Sequence, residues 1–558
     1  MNKKLQSNQL FYLLLLSWFL INIVQSILTE ITNDEAYYAL WGNQLDWGYF
    51  DHPPMVALFT AISSWLFPGN LGVRFMTVFV QLTVLWLIWK TIDLKSPSQS
   101  QVIRFFAIAA SIVMFTAYGF ITTPDVPLLF FIALFLWAYR LFLKDNGWMH
   151  AILLSVAMAG MLYSKYQAGL FILIIVFSNL RLLSSLRFWL SGIFAIILLL
   201  PHILWQIEHN FPGFQYHLLD RSSGFKWLYL LEYWPNQLAV FNPFTLIAVV
   251  WVLVSKRKKD AFDRALYGVI VGFLGFFWLT AIRGHVEPHW TIAASIPMII
   301  LVVREAEINQ KLKRYISRFV YPSLLLILLA RILLLTDLLP ARLGFHGKET
   351  KYVALKSIAG DHPVVFTGSF QNPSLYRYFT GGDAQVISSL YSRKTQFDVW
   401  KLDEAMHDRT VFVVGNYEGR STQFEHAGYP FEGFFTDSLQ LTNHMAIAFL
   451  LPKHQFSSGE TVQLLVTITN HSDHAYDLNH TVFPAEIVVI FNNKKEMLEI
   501  PAQFVLNDKS LASGESIEVD IQFIVPQSQR DELQFGISLK SFFGLTLNSS
   551  LTHITIQQ

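Results

Sequence analysis

Long apolar runs recur along the chain up to about residue 335, and most are close to the length that crosses about 30 Å of hydrocarbon. We place about eleven membrane-spanning segments in this part of the chain. They lie near residues 10–29, 72–90, 102–121, 126–143, 148–163, 166–180, 187–206, 238–255, 264–282, 288–303 and 317–335. The run 54–67 is shorter, and prolines at both ends suit a helix lying along the membrane interface. Residues 1–343 are therefore predicted to form a polytopic α-helical membrane domain.

The sequence changes character near residue 344, where short β-type runs separated by turn residues replace the long apolar segments. Residues 344–440 combine runs such as PVVFTG and TVFVVG with helix-like stretches, which predicts a small α/β domain. Residues 441–558 contain runs such as TVQLLVTITN and SIEVDIQFIV with partial alternation, which predicts an antiparallel β-sandwich.

The distribution of basic residues predicts how the chain is oriented, because Lys and Arg concentrate in cytoplasmic loops. With the N-terminus inside, roughly nineteen basic residues lie in cytoplasmic loops, against about five in the opposite loops. KRKK at residues 256–259 is one of these cytoplasmic groups. We therefore expect a cytoplasmic N-terminus. An odd number of spans places the C-terminal region outside the membrane on the opposite, periplasmic side.

Composition agrees with a membrane protein. The chain is 53% hydrophobic and only 15% charged, whereas soluble proteins carry about a quarter charged residues. The net charge of +1 argues against a nucleic-acid partner, which would require a basic face. The absence of Cys excludes disulfides and Cys-ligated metals.

Acidic side chains crowd the stretch TNDEAYYALWGNQLDWGYFDHPPMVAL, residues 32–58, directly after the first apolar run. Ionisable groups close to hydrocarbon are costly and suggest function by default, although any single loop acid can simply be solvated. The predicted topology gathers several such groups on the external face, and this convergence favours a functional site. The candidates are Asp34, Glu35, Asp51, His52, Asp125, Lys165, Arg283, His285 and His289.

Five blocks follow one another in an order that resembles a known family. They are NDEAYYALWGNQLDWGYFDHPPMVA, TPDVPLLFFIALFLWAYRLF, MLYSKYQAGLFIL, EHNFPGFQYHL and RGHVEPHW. This order is similar to that in bacterial members of the dolichyl-phosphate-mannose protein mannosyltransferase-like family. That family belongs to the glycosyltransferase C (GT-C) superfamily and includes the aminoarabinose lipid A transferases. The resemblance covers roughly residues 10–305.

The resemblance implies an inverting glycosyltransferase of the bacterial inner membrane. It would take a sugar from a polyprenyl-phosphate donor of the undecaprenyl type and pass it to an acceptor hydroxyl or phosphate on the outer face. Such a reaction needs a base, positive charge or a metal for the leaving phosphate, and a cavity for the lipid tail. The acceptor, whether glycolipid, polysaccharide or protein, stays open, as does the sugar.

The resemblance also implies residue roles. Asp34 matches the acidic residue at the reaction centre and is the expected base. Glu35 would orient the acceptor or help hold a cation, or would only interact with a helix dipole. Asp125 matches the second acidic position, with a helix cap as the alternative. Asp34 and Asp125 could share Mg²⁺ or Mn²⁺ with phosphate oxygens, but metal dependence varies across the superfamily, so a divalent cation stays open.

The remaining candidates are expected to bind the carrier phosphate. They are Asp51, His52, Asp125, Lys165, Arg283, His285 and His289. His52 precedes Pro53 and Pro54, where the aminoarabinose enzymes carry a Lys, so a fixed cation at this position and the identity of the donor sugar are both in question. Lys165 has an alternative interpretation as a cation that extends to lipid headgroups.

Two other function classes compete with the enzyme. A transporter or flippase of lipid-linked saccharides would favour internal repeats and charges near the bilayer midplane, whereas here the charges lie in predicted loops and no repeat is visible. A binding module in the C-terminal sandwich would need the membrane part only as an anchor. About eleven spans exceed what anchoring requires, so we favour the enzyme.

Overall fold

The structure is a computed structural model. It describes residues 3–216, 225–255, 259–338, 345–390, 392, 394–407, 409–417, 419–437, 439–492, 497–504, 510–527 and 532–557. The contacts between Cα atoms divide the chain into two compact units, Met1–Lys348 and Glu349–Gln558. The predicted boundary between residues 343 and 344, residues 256–258 of KRKK and the last two residues of the EHNFPGFQYHL block lie outside the described residues.

The first unit is helical. Its helices, α1 to α17 in chain order, are Lys3–Leu28, Asn33–Asn43, Met55–Leu66, Gly69–Ile92, Gln99–Ser111, Val113–Ala117, Asp125–Asp145, Trp148–Ser164, Ala168–Ser178, Leu186–Glu208, Pro212–Gln215, Trp227–Phe241, Pro243–Leu253, Ala261–Thr280, Ser295–Ile308, Gln310–Tyr315 and Tyr321–Leu333. Short 3₁₀ segments cover Leu180–Ser184 and Pro288–Ala294, and a π-helical turn, Ile316–Val320, joins α16 to α17.

Six helical segments among the described residues are long and apolar enough to cross a membrane, and the number rises to seven if α12 and α13 form one span. These two helices meet at an angle of 99°. Several predicted spans form shorter helices, and the predicted span 102–121 breaks at Ile112, whose backbone is extended. The polytopic helical part is therefore present, while the count of about eleven spans stays a prediction.

Helices α7 and α8 form an antiparallel hairpin that positions the site. Gly160 on α8 lies so close to α7 that an added Cβ would meet the Phe131 ring at 2.3 Å. A side chain at this position would push the two helices apart. The hairpin brings the start of α7, at Asp125, next to the end of α8, before Lys165.

The second unit begins with an α/β layer. Its helices α18 to α20 are Lys348–Ala359, which starts at the unit boundary, Gln371–Thr380 and Gln396–Trp400. Its strands β1 to β5 are Val364–Thr367, Ala384–Ile387, Val411–Val414, Thr422–His426 and Tyr429–Thr436. They form one sheet in the order β2-β1-β3-β5-β4, parallel across β2, β1 and β3 and antiparallel beyond.

Two further sheets pack as a β-sandwich. Strands β6 to β17 are Met445–Phe449, Gln455–Ser457, Thr461–Asn470, Tyr476–Asp477, Glu486–Asn492, Met497–Pro501, Gln503–Phe504, Ser510–Leu511, Ser516–Ile524, Glu532–Ser541, Gly544–Leu547 and Thr552–Gln557. The sheets have the orders β11-β10-β15-β17-β7 and β12-β14-β8-β6. The predicted sandwich is present, but β17 pairs with β7 in parallel, so it is not purely antiparallel. The alternation of apolar and polar residues indicates which face of a strand is buried. It does not indicate whether neighbouring strands run parallel or antiparallel.

An acidic pair and a histidine connect the α/β layer to the start of the sandwich. The His444 Nε2 atom lies 2.7 Å from Asp403 Oδ2, and Nδ1 lies 3.5 Å from Glu404 Oε1. Burial by itself lowers the pKa of His444, but the hydrogen bond to Asp403 and the two carboxylate charges outweigh burial and raise the pKa above its usual 6.5. The folded second unit therefore favours the imidazolium.

This raised pKa makes the stability of the second unit depend on pH. The contribution of His444 should be fully present below about pH 6.5 and should be lost as the pH rises through the folded-state pKa. We expect His444→Gln to remove this dependence in thermal unfolding of the full chain between about pH 6 and about pH 8. The same change at exposed His553 should preserve it, and an unaltered profile in His444→Gln would contradict the assignment.

Candidate active site

A buried ion pair stands at the open end of the α7–α8 hairpin. The Lys165 ammonium lies 2.8 and 2.9 Å from the two carboxylate oxygens of Asp125. Only 1% of Asp125 and 5% of Lys165 is exposed. A charge this deeply buried requires a partner, so each side chain neutralises the other.

Groups from two other segments of the chain surround this pair. The Tyr118 hydroxyl donates to Asp125 Oδ2 at 3.4 Å, and His289 Nε2 lies 3.9 Å from the same oxygen. The charges of Asp125 and Asp34 both act on the Tyr118 hydroxyl. The fold therefore brings Asp34, Asp125, Lys165 and His289 into one electrostatic cluster.

Asp34 is the exposed carboxylate of this cluster. It occupies the second position of α2, whose start is fixed by a capping box between Thr32 and Glu35. The Glu35 N–H donates to Thr32 Oγ1 at 3.2 Å, and the Thr32 N–H donates to Glu35 Oε2 at 2.8 Å. The helix dipole favours the ionised form of an acid at this end. The cap thus fixes the backbone position from which the Asp34 side chain extends.

Glu35 points away from solvent into a second buried ion pair, with Arg74 of α4. The guanidinium donates to both carboxylate oxygens at 2.7 Å, and both side chains are fully buried. Arg74 also donates to the Thr29 and Glu30 carbonyl oxygens at 2.8 and 2.9 Å, beyond the end of α1. The Thr122 N–H donates to Glu35 Oε1 at 2.9 Å. One ion pair therefore connects α1, α2, α4 and the segment before α7.

This geometry changes the interpretation of Glu35. Both of its oxygens accept hydrogen bonds and neither is exposed. We therefore infer that Glu35 positions its neighbour Asp34 and the Asp125 segment. The predicted catalytic role of Glu35, in orienting the acceptor or helping to hold a cation, stays a prediction. The sequence alternative of a helix N-terminal acid was close to this arrangement but did not include Arg74.

Aromatic stacking shapes the loop that carries Asp51 and His52. The Tyr49 ring stacks on Trp41 at 4.4 Å between centroids with an interplanar angle of 3°. Its hydroxyl donates to the Trp41 and Gln44 carbonyl oxygens at 3.1 and 2.9 Å. Burial raises the pKa of the Tyr49 hydroxyl, so it stays protonated and remains a donor. The contacts of Tyr49 with Trp41 and Gln44 therefore stabilise the conformation of this loop.

Asp51 and His52 have different surroundings in this loop. Asp51 is buried, and its charge acts on Tyr166. The His52 ring lies 6.2 Å from Tyr38 and 6.4 Å from Trp41 between centroids. The phosphate-binding roles predicted for Asp51 and His52 stay predictions.

Helix α10 holds the same loop from the other side, which sequence reasoning missed. The Trp205 indole N–H donates to Asp46 Oδ2 at 2.8 Å, and His202 Nδ1 lies 2.7 Å from the Trp47 carbonyl oxygen. Gly48 allows this approach, because an added Cβ would meet the Trp205 ring at 2.3 Å. Trp205 and His202 stand within an apolar run, and nothing in their local sequence marks them as loop supports.

The RGHVEPHW block divides between two environments. Arg283 and His285 are exposed, and His285 Nε2 lies 3.9 Å from Glu287 Oε2. His289 is the second residue of the 3₁₀ turn Pro288–Ala294 and reaches Asp125. Within the part of the chain that the structure describes, His289 is therefore the member of this block within ion-pair distance of Asp125.

The donor set, as it stands, does not fit a divalent cation between Asp34 and Asp125. The Lys165 ammonium occupies both oxygens of Asp125. Across the described ranges, no group of three or more His, Cys, Asp or Glu side chains is arranged to hold a metal. We derive no step through a metal, and the predicted Mg²⁺ or Mn²⁺ stays a prediction.

Comparison with known proteins places the fold. Residues 51–205 match the model of the dolichyl-phosphate-mannose-protein mannosyltransferase family. ArnT from Cupriavidus metallidurans aligns over 76% of this chain and 97% of its own, with a TM-score of 0.56 and 12% identity. The chain therefore has a GT-C type fold. The predicted resemblance and fold class are thereby confirmed.

Two further relatives describe what similar proteins do. A second ArnT structure, bound to undecaprenyl phosphate, matches this chain with a TM-score of 0.56 and 13% identity, over 76% of this chain and 97% of its own. The lipid A galacturonosyltransferase RgtD from Rhizobium johnstonii is 23% identical over 294 residues. That alignment covers 49% of this chain and 60% of RgtD, so it spans less than two thirds of that relative.

The Glu35–Arg74 pair should dominate the stability of this region of the protein. Arg74→Ala leaves the Glu35 carboxylate buried without its cation, and we expect a loss of about 3–5 kcal/mol in the free energy of unfolding. The double variant Arg74→Met with Glu35→Gln should be less destabilised than the sum of the single changes. Denaturant unfolding of the purified chain measures both.

Exposed Arg283→Ala provides the control, with an expected change within about 0.5 kcal/mol. An Arg74→Ala variant as stable as this control would contradict the central place given to the ion pair.

Proposed function

We propose that the chain is an inverting glycosyltransferase that takes a sugar from a polyprenyl-phosphate donor of the undecaprenyl type. The acceptor is a hydroxyl or phosphate, for which a glycolipid is the favoured source, on the outer face of the bacterial inner membrane. The proposed topology has a cytoplasmic N-terminus and a periplasmic C-terminal region.

One observation carries this proposal. The exposed Asp34 carboxylate stands at a fixed helix start, within electrostatic reach of the Tyr118 hydroxyl that donates to Asp125. A reacting acid beside a buried and neutralised Asp125–Lys165 pair suits base catalysis on a neutral hydroxyl. The ArnT fold, seen with undecaprenyl phosphate in one structure, supports the class of donor. The lipid A galacturonosyltransferase relative supports a glycolipid acceptor.

The proposed reaction is a single displacement. Asp34 accepts the proton of the acceptor hydroxyl as the acceptor oxygen attacks the anomeric carbon of the donor sugar. The bond between that carbon and the carrier phosphate oxygen breaks, and the electron pair leaves with the phosphate. Attack from the face opposite the phosphate inverts the anomeric carbon. Glu35 and Arg74 hold the start of α2 in place during this step.

The leaving phosphate needs positive charge. Lys165 is neutralised by Asp125, so its cation is not available to a phosphate unless this pair rearranges. His289 is about one third exposed and lies beside the pair, and Arg283 is exposed nearby in sequence. We assign these two side chains as the first contacts of the carrier phosphate, because an Arg guanidinium can grip phosphate oxygens in a forked manner.

A transporter of lipid-linked saccharides is not favoured. It would bind its substrate without a base directed at an acceptor. The exposed Asp34 at a capped helix start can supply such a base, which a transferase requires. Transfer of labelled sugar to a chemically new product would distinguish the two activities.

Asp34→Asn should lower the rate of sugar transfer by about 10²- to 10⁴-fold, because the amide cannot accept the acceptor proton. Membranes supplied with a polyprenyl-phosphate sugar provide the assay. Asp93→Asn is the matched control, since Asp93 is an exposed carboxylate at the C-terminal end of α4, whereas Arg74 lies near the start of that helix. The Asp93→Asn variant should transfer sugar at the wild-type rate. Normal transfer by a folded Asp34→Asn variant would contradict the assignment of Asp34 as the base.

Chelation tests the remaining question of the metal. Because the Lys165 ammonium occupies the Asp125 carboxylate, we expect transfer to continue in excess EDTA at the rate measured without it. Loss of transfer, with recovery on addition of Mg²⁺ or Mn²⁺, would contradict this expectation and would support a cation shared by Asp34 and Asp125.

A further inference from the structure

A cation on α17 has a setting that the proposed reaction does not use. Arg331 stands two residues before the end of this helix, in a segment long and apolar enough to span a membrane. Its guanidinium donates to Asn22 Oδ1 at 2.7 Å and to Gln25 Oε1 at 3.4 Å, both on α1. It also lies 4.8 Å from the centroid of the Phe120 ring.

The partners of Arg331 leave its charge unbalanced. Asn22 and Gln25 are buried and neutral, and within the described part of the chain no carboxylate forms an ion pair with Arg331. Arg74, Arg104 and Arg304 of the same unit each pair with an acid. An Arg at the end of a span often only extends to the headgroups, but the hydrogen bonds to Asn22 and Gln25 hold Arg331 against α1. A charged side chain in such a place suggests a functional contact.

Two apolar grooves meet at Arg331. The first, of about 330 Å³, lies along α17 between Ser323 and Leu334 and is closed on its other side by residues that include Ala117 and Leu238. That length corresponds to roughly 16 Å of helix. The second, of about 260 Å³, lies between α17 and α1, against Leu20 and Val24. Both grooves are lined almost entirely by apolar side chains, so each suits a hydrocarbon chain.

We propose that Arg331 and these two grooves bind an anionic diacyl phospholipid of the surrounding bilayer. One guanidinium without a carboxylate matches the single negative charge of a phosphodiester. Two grooves that start from one cation match two acyl chains attached to one phosphate. A polyprenyl phosphate has a single chain and would leave one groove empty, so the geometry selects the phospholipid over the carrier.

The lipid would act as a packing element between α1, α6, α12 and α17. The segment Gln310–Leu333, which ends with α17, packs little against the rest of the unit, because only 17% of its apolar stretch is buried. Acyl chains in both grooves would cover its two sides, and the phosphate would neutralise Arg331. The bound lipid therefore connects the last helix of the first unit to α1, which carries the Arg74 contacts at its end.

Native mass spectrometry of the purified full-length chain tests this site. After delipidation, the chain is titrated with phosphatidylglycerol, phosphatidylethanolamine, lysophosphatidylglycerol and undecaprenyl phosphate. We expect one phosphatidylglycerol per chain, bound more tightly than the other three. Arg331→Gln should weaken that binding by about ten- to a hundredfold, the range for a lost charged hydrogen bond. Arg318→Gln, an exposed Arg in the same helical segment, should bind as the wild type does.

A second variant keeps the test decisive if Arg331→Gln does not fold. Ala330 is exposed and lines the first groove, so Ala330→Phe fills that groove and preserves the charge. It should reduce phosphatidylglycerol binding and leave lysophosphatidylglycerol binding unchanged. Full phosphatidylglycerol binding by either variant would overturn the proposal. Equal binding of the lyso lipid by the wild type, or displacement of phosphatidylglycerol by undecaprenyl phosphate, would also overturn it.

Discussion

The buried pair of Glu35 and Arg74 is the constraint on which the rest of the first unit depends. Two opposite charges that are shielded from solvent must remain paired, since removing either one leaves the other buried without a counter-charge. Arg74 satisfies carbonyl groups just beyond the end of α1, and Glu35 accepts from the backbone before α7. The pair therefore fixes the spacing between the segment that carries Asp34 and the segment that carries Asp125. The position of the reacting carboxylate follows from an interaction that never contacts substrate.

Much of this arrangement could be predicted from the sequence, because it follows from length, order and local chemistry. Apolar runs predicted the helical part, and alternation predicted the sandwich. The acidic and basic blocks indicated Asp34, Asp125, Lys165 and His289, which the fold brings together. Their mutual pairing could not be predicted, because it depends on an antiparallel hairpin whose close approach rests on the small size of Gly160.

Other features escaped the sequence for physical reasons. Arg74 stands near the start of an apolar run, where a cation normally extends to the membrane surface, and its partner lies 39 residues earlier. The number of spans depends on where helices break, and no proline marks the break at Ile112, whose backbone is extended. Arg283 and His285 share a motif with His289, yet Pro288 starts a new turn that carries His289 alone toward Asp125.

The order of Glu35 and Arg74 along the chain also bears on how the protein enters the membrane. An isolated Arg in an inserting helix costs about 2.5–3.5 kcal/mol near the bilayer centre. Glu35 is synthesised 39 residues before Arg74, together with the end of α1 that supplies the carbonyl oxygens. When α4 leaves the translocon, its cation can therefore meet a complete set of acceptors already made. Every acceptor that the Arg74 guanidinium contacts therefore precedes Arg74 in the chain, so this part of the ion-pair network requires no segment synthesised later.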